Sequence, residues 1–437
     1  MPLSSRQVLP VWSFRLILVG MAAVSVGLPI AWISLTKLAV TLFALAYLLA
    51  QSVNQRNDEH DRALWTPPVI CAIFFAFSVS LVWTHSDLTD ATRSLVKHSK
   101  LMQILLLILL IRTPREARIG VMAFAVGQGF LLLSSWLLVA GLPVPWRTAW
   151  GRGSEYVVFS SYLDQSIIFA TTAAVFWQLR ADKLWPVWLG STFAVAALAN
   201  SLLVLESRTG YAVAITLFAL AAMWKATRHF RLLTLIAAPL VMLSILYFGS
   251  TQVQNGLSKL IHESQSYVLQ NDIGSASGWN GDSSGWRLNA WHRSVQAIEQ
   301  SPWLGHGIGS WTETVKRLEG KTATTIFGDA QVSNPHQEYL LWGVELGAGG
   351  ILLLLLLMIA IVRDSQSFSP SNARATQSVV AAMAIACLFN SALYDGLIGD
   401  FFCVALGLLM ALGLRSTAAK PGAGAPARLG VCAKVAV

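Results

Sequence analysis

Long apolar runs, separated by short polar stretches, make up most of this chain. Twelve such runs occur, at residues 14–33, 35–51, 67–83, 100–112, 117–140, 156–179, 184–204, 209–224, 231–249, 336–362, 375–394 and 398–414. A helix that crosses a lipid bilayer needs about 20 predominantly apolar residues. The pattern therefore predicts an all-α polytopic membrane protein with about twelve transmembrane helices.

The distribution of Lys and Arg predicts which side of the membrane each loop faces. Twelve spans place both termini on the same side. If that side is cytoplasmic, 18 Lys and Arg residues fall in cytoplasmic pieces and 7 in the short loops on the opposite side. Cytoplasmic loops of membrane proteins carry the excess of positive charge. Both termini are therefore predicted to be cytoplasmic, and the long polar segment 250–335 to be extracytoplasmic.

The segment 250–335 divides the chain into its predicted parts. Nine spans precede it in residues 1–249, and three follow it in residues 336–415. Residues 416–437 are Ala, Gly, Pro and basic residues and are predicted to form a disordered cytoplasmic tail. The long segment is therefore expected to be the sizeable loop domain of the protein.

Inside this loop, apolar residues recur at helical spacing in residues 254–270 and 286–300, which predicts two helices. Residues 271–285 between them are rich in Gly, Ser, Asn and Asp, and are predicted to be mobile. A glycine-spaced turn follows at residues 303–309. It lacks the preceding strand and the following acidic residue of a dinucleotide-binding fingerprint, so we do not interpret it as a nucleotide site.

Composition excludes several classes of function. Of 437 residues, 55% are hydrophobic and 12% are charged, against about 25% charged residues in soluble domains. The net charge of +9 reflects membrane topology and not nucleic-acid binding. No cysteine lies in the long loop and no His, Asp or Glu set has metal-ligand spacing, so neither a metal nor another cofactor is predicted. The first apolar run is followed at once by a second, which indicates an anchor and not a cleaved signal peptide.

A helix start is predicted where the long loop meets the tenth apolar run. Asn334 is a good N-cap, Pro335 suits the first helical position, and Gln337 falls where its side chain reaches back to the cap. The helix is expected to run from here through Val362. His336 is thereby predicted to lie in its first turn.

His336 is thus a titratable side chain at the extracytoplasmic mouth of a membrane helix. A helix N-terminus disfavours the protonated ring, which favours a neutral imidazole that can accept a proton. At about 100° per residue, the face of His336 carries mostly small residues, Leu340, Gly343, Gly347 and Gly350. Glu338 and Glu345 are predicted to point away. His336 is then either an interfacial structural residue or a general base, and the small-residue face is either a helix contact or the wall of a lipid groove.

Two arginines lie at predicted extracytoplasmic helix ends. Arg208 follows Ser207, which can cap the eighth predicted span, and Arg287 opens the helix 286–300. A guanidinium binds phosphate bidentately, and a helix N-terminus adds positive potential. Each arginine is therefore either an anion-binding residue or an ordinary surface residue, with Glu206 as a partner for Arg208.

Five further basic residues oppose the positive-inside bias because they lie in extracytoplasmic loops. They are Arg93, Lys97, Lys100, Arg147 and Arg152. They belong either to a solvated amphipathic surface or to a site for a phosphate-rich molecule of the outer leaflet. Asp395 and Asp400 flank the last extracytoplasmic turn, and they either approach His336 or simply bound the neighbouring helices.

Four motifs follow one another around the long loop. They are Ser207-Arg208-Thr209-Gly210, Trp286-Arg287, Ser301-Pro302-Trp303-Leu304-Gly305-His306-Gly307-Ile308-Gly309 and Asn334-Pro335-His336-Gln337-Glu338-Tyr339, with Gly347 and Gly350 beyond. Their order and spacing resemble the O-antigen ligase family, the lipopolysaccharide core ligases within the O-antigen ligase/polymerase superfamily. The resemblance spans about 205–350 by motif and the whole chain by topology. One departure is Gln337, where this group often has Asn or another small polar residue.

The resemblance implies a GT-C-like glycosyltransferase that acts by an inverting, metal-independent reaction at the periplasmic face of a Gram-negative inner membrane. The implied donor is O-antigen on undecaprenyl pyrophosphate, and the implied acceptor is the lipid A–core oligosaccharide. His336 would be the general base, and Arg208 and Arg287 would stabilise the pyrophosphate leaving group. The five basic loop residues are candidates for binding acceptor phosphates, an inference from their charge and not from the resemblance.

Three other functions are compatible with the sequence. An O-antigen polymerase would use the same donor with a second lipid-linked glycan as acceptor. A protein O-oligosaccharyltransferase would transfer the glycan to Ser or Thr of a protein, although such enzymes often carry a larger soluble region. A transporter is more remote, because the charges cluster at one membrane face and the spans are otherwise apolar.

Overall fold

Helices form the regular structure of the protein wherever it is described. The computed structural model describes residues 11–54, 64–205, 207–249, 253–254, 258, 283–319 and 334–418. Its α-helices are α1 Val11–Ser25, α2 Ile30–Asn54, α3 Thr66–Val79, α4 Leu88–His98, α5 Met102–Leu110, α6 Pro114–Val139, α7 Tyr162–Leu179, α8 Val187–Ala199, α9 Arg208–Lys225, α10 Arg231–Gly249, α11 Ser283–Gln300, α12 Trp311–Glu319, α13 Glu338–Ser365, α14 Pro370–Phe389 and α15 Gly396–Ala418. These ranges contain no β-strand. The predicted all-α class is confirmed.

Several helices are long and apolar enough to cross a membrane. By length and composition, seven qualify among the described residues: Ile30–Leu49, Pro114–Val139, Val187–Val204, Arg228–Gly249, Glu338–Ser365, Pro370–Phe389 and Gly396–Thr417. Shorter apolar helices occupy Phe14–Ser25 and Thr66–Val82. The chain is a multi-pass membrane protein, as predicted, while the total of twelve spans stays a prediction.

α15 lies at the centre of the helical assembly and α10 at its edge. Protein buries 94% of the span in α15 but only 17% of the span that includes α10. α15 packs against α5, α6 and α14, while α7 packs against α8, α9 and α14. A helix that is apolar on all sides suits both positions, because lipid and protein interior are similarly apolar.

The fourth predicted span is built from two helices. The amphipathic α4 begins after Asp87, whose carboxylate accepts a hydrogen bond from the Asp90 N–H at 2.8 Å. One tight turn later, α5 carries the apolar residues. At about 1.5 Å per residue, nine residues in α5 are too short to span a hydrocarbon layer of about 30 Å. The polar residues of α4 are therefore held beside the helical bundle.

The predicted helix start at Asn334 is wrong. α13 begins at Glu338, and Gln337 is its N-cap, with Oε1 accepting from the Leu340 N–H at 2.6 Å. Asn334 Oδ1 instead accepts from the backbone N–H of His336 at 2.9 Å. Asn side chains form such local turns in competition with helix capping. The turn places His336 before the helix, with φ +50°.

The prediction of one unbroken helix through Val362 is also wrong. Gly347 has φ +65° and ψ −153°, which interrupts α13. The glycine-spaced turn packs into this break: the N–H groups of His306 and Gly307 donate to the carbonyls of Val344 and Glu345 at 2.8 and 2.9 Å. Pro302 O accepts from the Ala348 N–H at 2.7 Å. The glycine motif therefore joins the loop to α13, and the predicted small-residue face below His336 does not continue past the break.

We predict that Gly347→Ala destabilises the protein by at least about 1 kcal/mol, since a left-handed backbone penalises residues with a Cβ. The new Cβ would also lie 2.6 Å from Pro302 O. Gly349→Ala is the matched control, because its Cβ would meet nothing closer than Trp303 O at 3.9 Å. Thermal unfolding of the detergent-solubilised variants measures the effect. Equal melting temperatures for the two variants would contradict this account of the break.

Parts of the predicted loop lie outside the described residues. This applies to most of the helix predicted at 254–270, to the mobile stretch 271–285 except its last residues, and to the tail beyond residue 418. The helix predicted at 286–300 is confirmed as α11. Its buried face consists of the small residues Ala290, Ser294 and Ala297.

Candidate active site

His336 contacts the C-terminal end of α14. Its Nδ1 lies 3.0 Å from Oδ1 of Asn390, the C-cap residue of α14. Trp291 of α11 donates its indole N–H to Pro335 O at 3.0 Å, beside the histidine. Loop, α13 and α14 therefore meet at this half-buried ring.

The segment from Asn390 to Asp395 joins α14 to α15 and is held from two sides. The buried Glu338 carboxylate accepts from the N–H groups of Leu393 and Tyr394 at 2.9 and 3.1 Å. On the other side, Lys100 Nζ donates to the carbonyls of Asp395 and Tyr394 at 2.6 and 3.2 Å. The Glu338 carboxylate thus binds backbone N–H groups of this segment, and the Lys100 ammonium binds its carbonyls. Both sets of contacts are charge-assisted hydrogen bonds.

Asp395 lies in the same group of residues. Burial raises the pKa of the Asp395 carboxyl, whereas its interactions with His336, Lys100, Lys97 and the Asn390 side chain oppose the shift. The structure therefore answers the question that the sequence left open for this residue, because Asp395 does approach His336.

Asp400 has a different environment. Its carboxylate oxygens both lie 2.9 Å from Lys37 Nζ of α2. Only 3% of the Asp400 side chain is exposed, against 27% for Lys37. Such pairing is how charged groups are accommodated inside a membrane protein. Asp400 therefore links α15 to α2.

The structure also brings Arg208 and Arg287 within electrostatic range of each other. Arg208 opens α9 after Ser207, whose Oγ accepts from the Gly210 N–H at 3.1 Å and caps the helix. Burial lowers the pKa of the Arg287 guanidinium, the Arg208 charge lowers it further, and Tyr162 and Asp395 act in the opposite direction. Arg287 is therefore within electrostatic range of both Arg208 and Asp395, and Asp395 is in turn within range of His336.

The five basic loop residues have different environments. Lys100 is 2% exposed and bonds backbone carbonyls. Arg147 likewise donates to the carbonyls of Val157 and Gly151 at 2.7 and 2.8 Å, and to Ser154 O. Arg93 is exposed and pairs with Asp90 at 2.9 Å, and Arg152 is exposed. Lys100 and Arg147 therefore have internal functions in the fold.

Lys97 is the member of this set that faces the His336 region. Its ammonium lies 3.8 Å from the centre of the Tyr394 ring, a cation–π contact. Tyr394 belongs to the segment that Glu338 and Lys100 hold. Lys97 therefore adds a second positive charge beside Asp395.

Several residues of this site were not predicted. Asn390 ends an apolar run and carried no sequence signal beyond its polarity. Glu338 was predicted to point away from His336, but it is buried and anchors the Asn390–Asp395 segment. Glu345 is also buried: its carboxylate lies 3.1 Å from His98 Nε2 and accepts from the Gly309 N–H at 2.8 Å. Glutamates within an apolar run were the available signal, because a buried carboxylate needs partners.

The described part of the chain contains no cluster of three or more His, Cys, Asp or Glu side chains that could hold a metal ion. The cations near Asp395 are the ammonium groups of Lys97 and Lys100 and the guanidinium group of Arg287. Fixed cations can stabilise a developing negative charge without reorganisation. The site can therefore combine a titratable ring with bound anionic groups.

Comparison with known proteins agrees with this arrangement. The family model described as O-antigen ligase matches residues 193–355. The matched segment contains Arg208, Arg287 and His336, whereas Asn390 and Asp395 lie beyond it. A comparison with curated proteins gives no match. The family match confirms the resemblance that the sequence motifs predicted.

Proposed function

We propose that this protein, whose residues 193–355 match the O-antigen ligase family, is an O-antigen ligase. It transfers O-antigen polysaccharide from undecaprenyl pyrophosphate to the lipid A–core oligosaccharide. Members of this family are membrane enzymes that transfer glycosyl groups from lipid-linked polysaccharides. The observation that carries the proposal is a chain of electrostatic interactions between four separate parts of the sequence, from Arg208 to Arg287, from Arg287 to Asp395 and from Asp395 to His336.

The proposed reaction inverts the anomeric carbon of the donor sugar. An acceptor hydroxyl oxygen forms a bond to that carbon, while the bond from the carbon to the pyrophosphate oxygen breaks. The hydroxyl proton passes to His336 as general base. The electron pair of the broken bond leaves with the pyrophosphate, whose charge Arg208 and Arg287 stabilise. Two like charges held close together favour an anion between them, which supports this assignment.

The proposed arrangement in the membrane follows the charge bias. Twelve spans, a GT-C-like fold and cytoplasmic termini place the loop 250–335 and His336 at the periplasmic face of a Gram-negative inner membrane. Residues 1–249 and 336–415 form the membrane part, and 416–437 the cytoplasmic tail. Lys97, Arg93 and Arg152 have side chains that remain candidates for binding the acceptor phosphates.

The ligase proposal is tested with lipopolysaccharide from a strain that lacks the protein. We expect bare lipid A–core together with full-length polymer on the carrier lipid. Core that carries a single repeat unit would instead identify a polymerase, and loss of glycan from proteins alone would identify a protein O-oligosaccharyltransferase. Unchanged glycans with altered uptake or export of a solute would favour a transporter. With purified protein and lipid-linked donor, a chelator should leave the rate unchanged, whereas a loss restored by a divalent cation would contradict the metal-independent mechanism.

A further inference from the structure

The Asn390 side chain presents its amide oxygen to the His336 ring, with Oδ1 3.0 Å from His336 Nδ1. An amide oxygen can only accept a hydrogen bond, whereas the amide NH₂ group donates.

This orientation assigns the proton on the His336 ring. A neutral imidazole carries its hydrogen on one nitrogen and its lone pair on the other. Because Nδ1 faces an oxygen that can only accept, Nδ1 must be the protonated nitrogen. The basic lone pair of His336 therefore lies on Nε2.

The backbone around Asn390 is held firmly enough to maintain this arrangement. Asn390 is 4% exposed, and its N–H donates to Ala386 O at 2.8 Å. The Asp395 N–H donates to Ser391 O at 2.8 Å. Together with the Glu338 and Lys100 contacts described above, these bonds fix the backbone from which the Asn390 side chain reaches His336. A base oriented by a third group is a recurring arrangement in enzymes.

We propose that Asn390 is a positioning residue that holds His336 in the Nδ1-protonated form and presents Nε2 to the acceptor hydroxyl. The proposal rests on the proposed role of His336 as general base. In the transfer step, Nε2 takes the hydroxyl proton while the ring keeps its Nδ1–H bond to Asn390. A neutral amide supports the resulting imidazolium less strongly than a carboxylate does, so the proton can leave again after each turnover.

Charged groups on several elements interact with Asp395, which lies near His336. Asp395 lies in the same segment as Asn390, and Lys97 and Lys100 act on Asp395 from α4 and the turn after it. Arg287 on α11 interacts with Asp395 and with Arg208 on α9. Asp164 on α7 interacts with Asp395 as well. These groups are unchanged in the variants below, so a change in pH dependence between variants reports on position 390.

The decisive experiment compares Asn390→Ala and Asn390→Asp with the wild type in a purified transfer assay across pH. We expect Asn390→Ala to lower kcat by roughly 10- to 100-fold, part of the roughly 10²- to 10⁴-fold that a positioned base contributes, with the donor KM unchanged. Asn390→Asp places a carboxylate against Nδ1–H and keeps the shape of the side chain. The acidic limb of the pH–rate profile of Asn390→Asp should move to higher pH by about 1 to 3 units, because a nearby anion favours the imidazolium form of His336.

The outcomes separate this inference from the proposed function. His336→Asn is measured in parallel: if it retains activity, the general-base proposal fails. If His336→Asn is inactive while both Asn390 variants keep wild-type kcat and pH profile, the positioning role of Asn390 is refuted. If Asn390→Ala does not fold, the isosteric Asn390→Asp decides alone, and an unmoved acidic limb overturns the proposal. Nitrogen-15 spectra of histidine-labelled protein, assigned by the His336→Asn variant, should show a proton on Nδ1 that Asn390→Ala redistributes.

Discussion

We expect that replacing His336 abolishes transfer of polymer to lipid A–core while the protein still inserts into the membrane. A general base contributes roughly 10²- to 10⁴-fold to the rate, so we expect His336→Ala to lower kcat by at least about 100-fold. His336→Asn is the sharper variant, because Asn tolerates the φ of +50° found here and has no basic nitrogen. The measurement is the rate of polymer attachment with purified protein, lipid-linked donor and acceptor.

His292 provides the matched control. It is exposed on α11, in the same loop, and its ring contacts Gln296 at 3.1 Å. His292→Ala should keep the wild-type rate. Full activity of both His336 variants would remove this residue from the mechanism, and equal losses for the His292 and His336 variants would indicate a general effect on the loop.

Removal of either guanidinium is the second large effect that we expect. Arg208→Ala and Arg287→Ala should each lower kcat by roughly 100- to 1,000-fold, the range seen when one preorganised stabiliser of a developing charge is removed. The reason is that the leaving pyrophosphate carries its negative charge into the region that both residues reach. Since they act on one anion, the double variant should lose much less than the product of the two single losses.

Lys316 is the control for general charge effects. It lies on α12 of the same loop, where its Nζ pairs with Glu313 at 2.8 Å and about half of its side chain is exposed. Lys316→Ala removes one positive charge and should leave the rate unchanged. If either arginine variant transfers polymer at the wild-type rate, that arginine does not stabilise the leaving group. If the two losses multiply in the double variant, the arginines act on separate steps.

The errors of sequence interpretation near His336 have a common cause. Capping rules placed the helix start at Asn334, but the Asn334 side chain binds the His336 N–H and forms a local turn instead. The face assigned to His336 then assumed an unbroken helix, whereas Gly347 interrupts α13. As a result, Glu338 and Glu345 were predicted to point away, yet both are buried and hydrogen-bonded. Helical periodicity assumes one continuous helix. It cannot show that another segment, here the glycine-spaced turn, packs into a break in that helix.

Candidate site residues could be predicted where a charged or titratable side chain lies beside an apolar run of the sequence. Arginines and a histidine at the mouths of apolar helices are such conflicts. In the structure, Arg287 interacts electrostatically with Arg208 and Asp395, and Asp395 interacts with His336. Lys100 carried the same signal but bonds backbone carbonyls inside the fold. A charged residue in apolar surroundings therefore indicates that the residue has a partner. Whether its role is catalytic or structural depends on what that partner is.

The sequence by itself determined the helical class, the multi-pass character and the resemblance to the O-antigen ligase family over residues 193–355, because apolar run length and ordered motifs are local properties of the chain. The tertiary structure decided how the site is assembled. The Asn390 amide beside His336, the Glu338 and Lys100 contacts that hold the Asn390–Asp395 segment, and the loop seated in the Gly347 break all join distant residues. Hydrogen bonds of this kind depend on atoms meeting within about 3 Å, and that proximity arises only when the helices pack together.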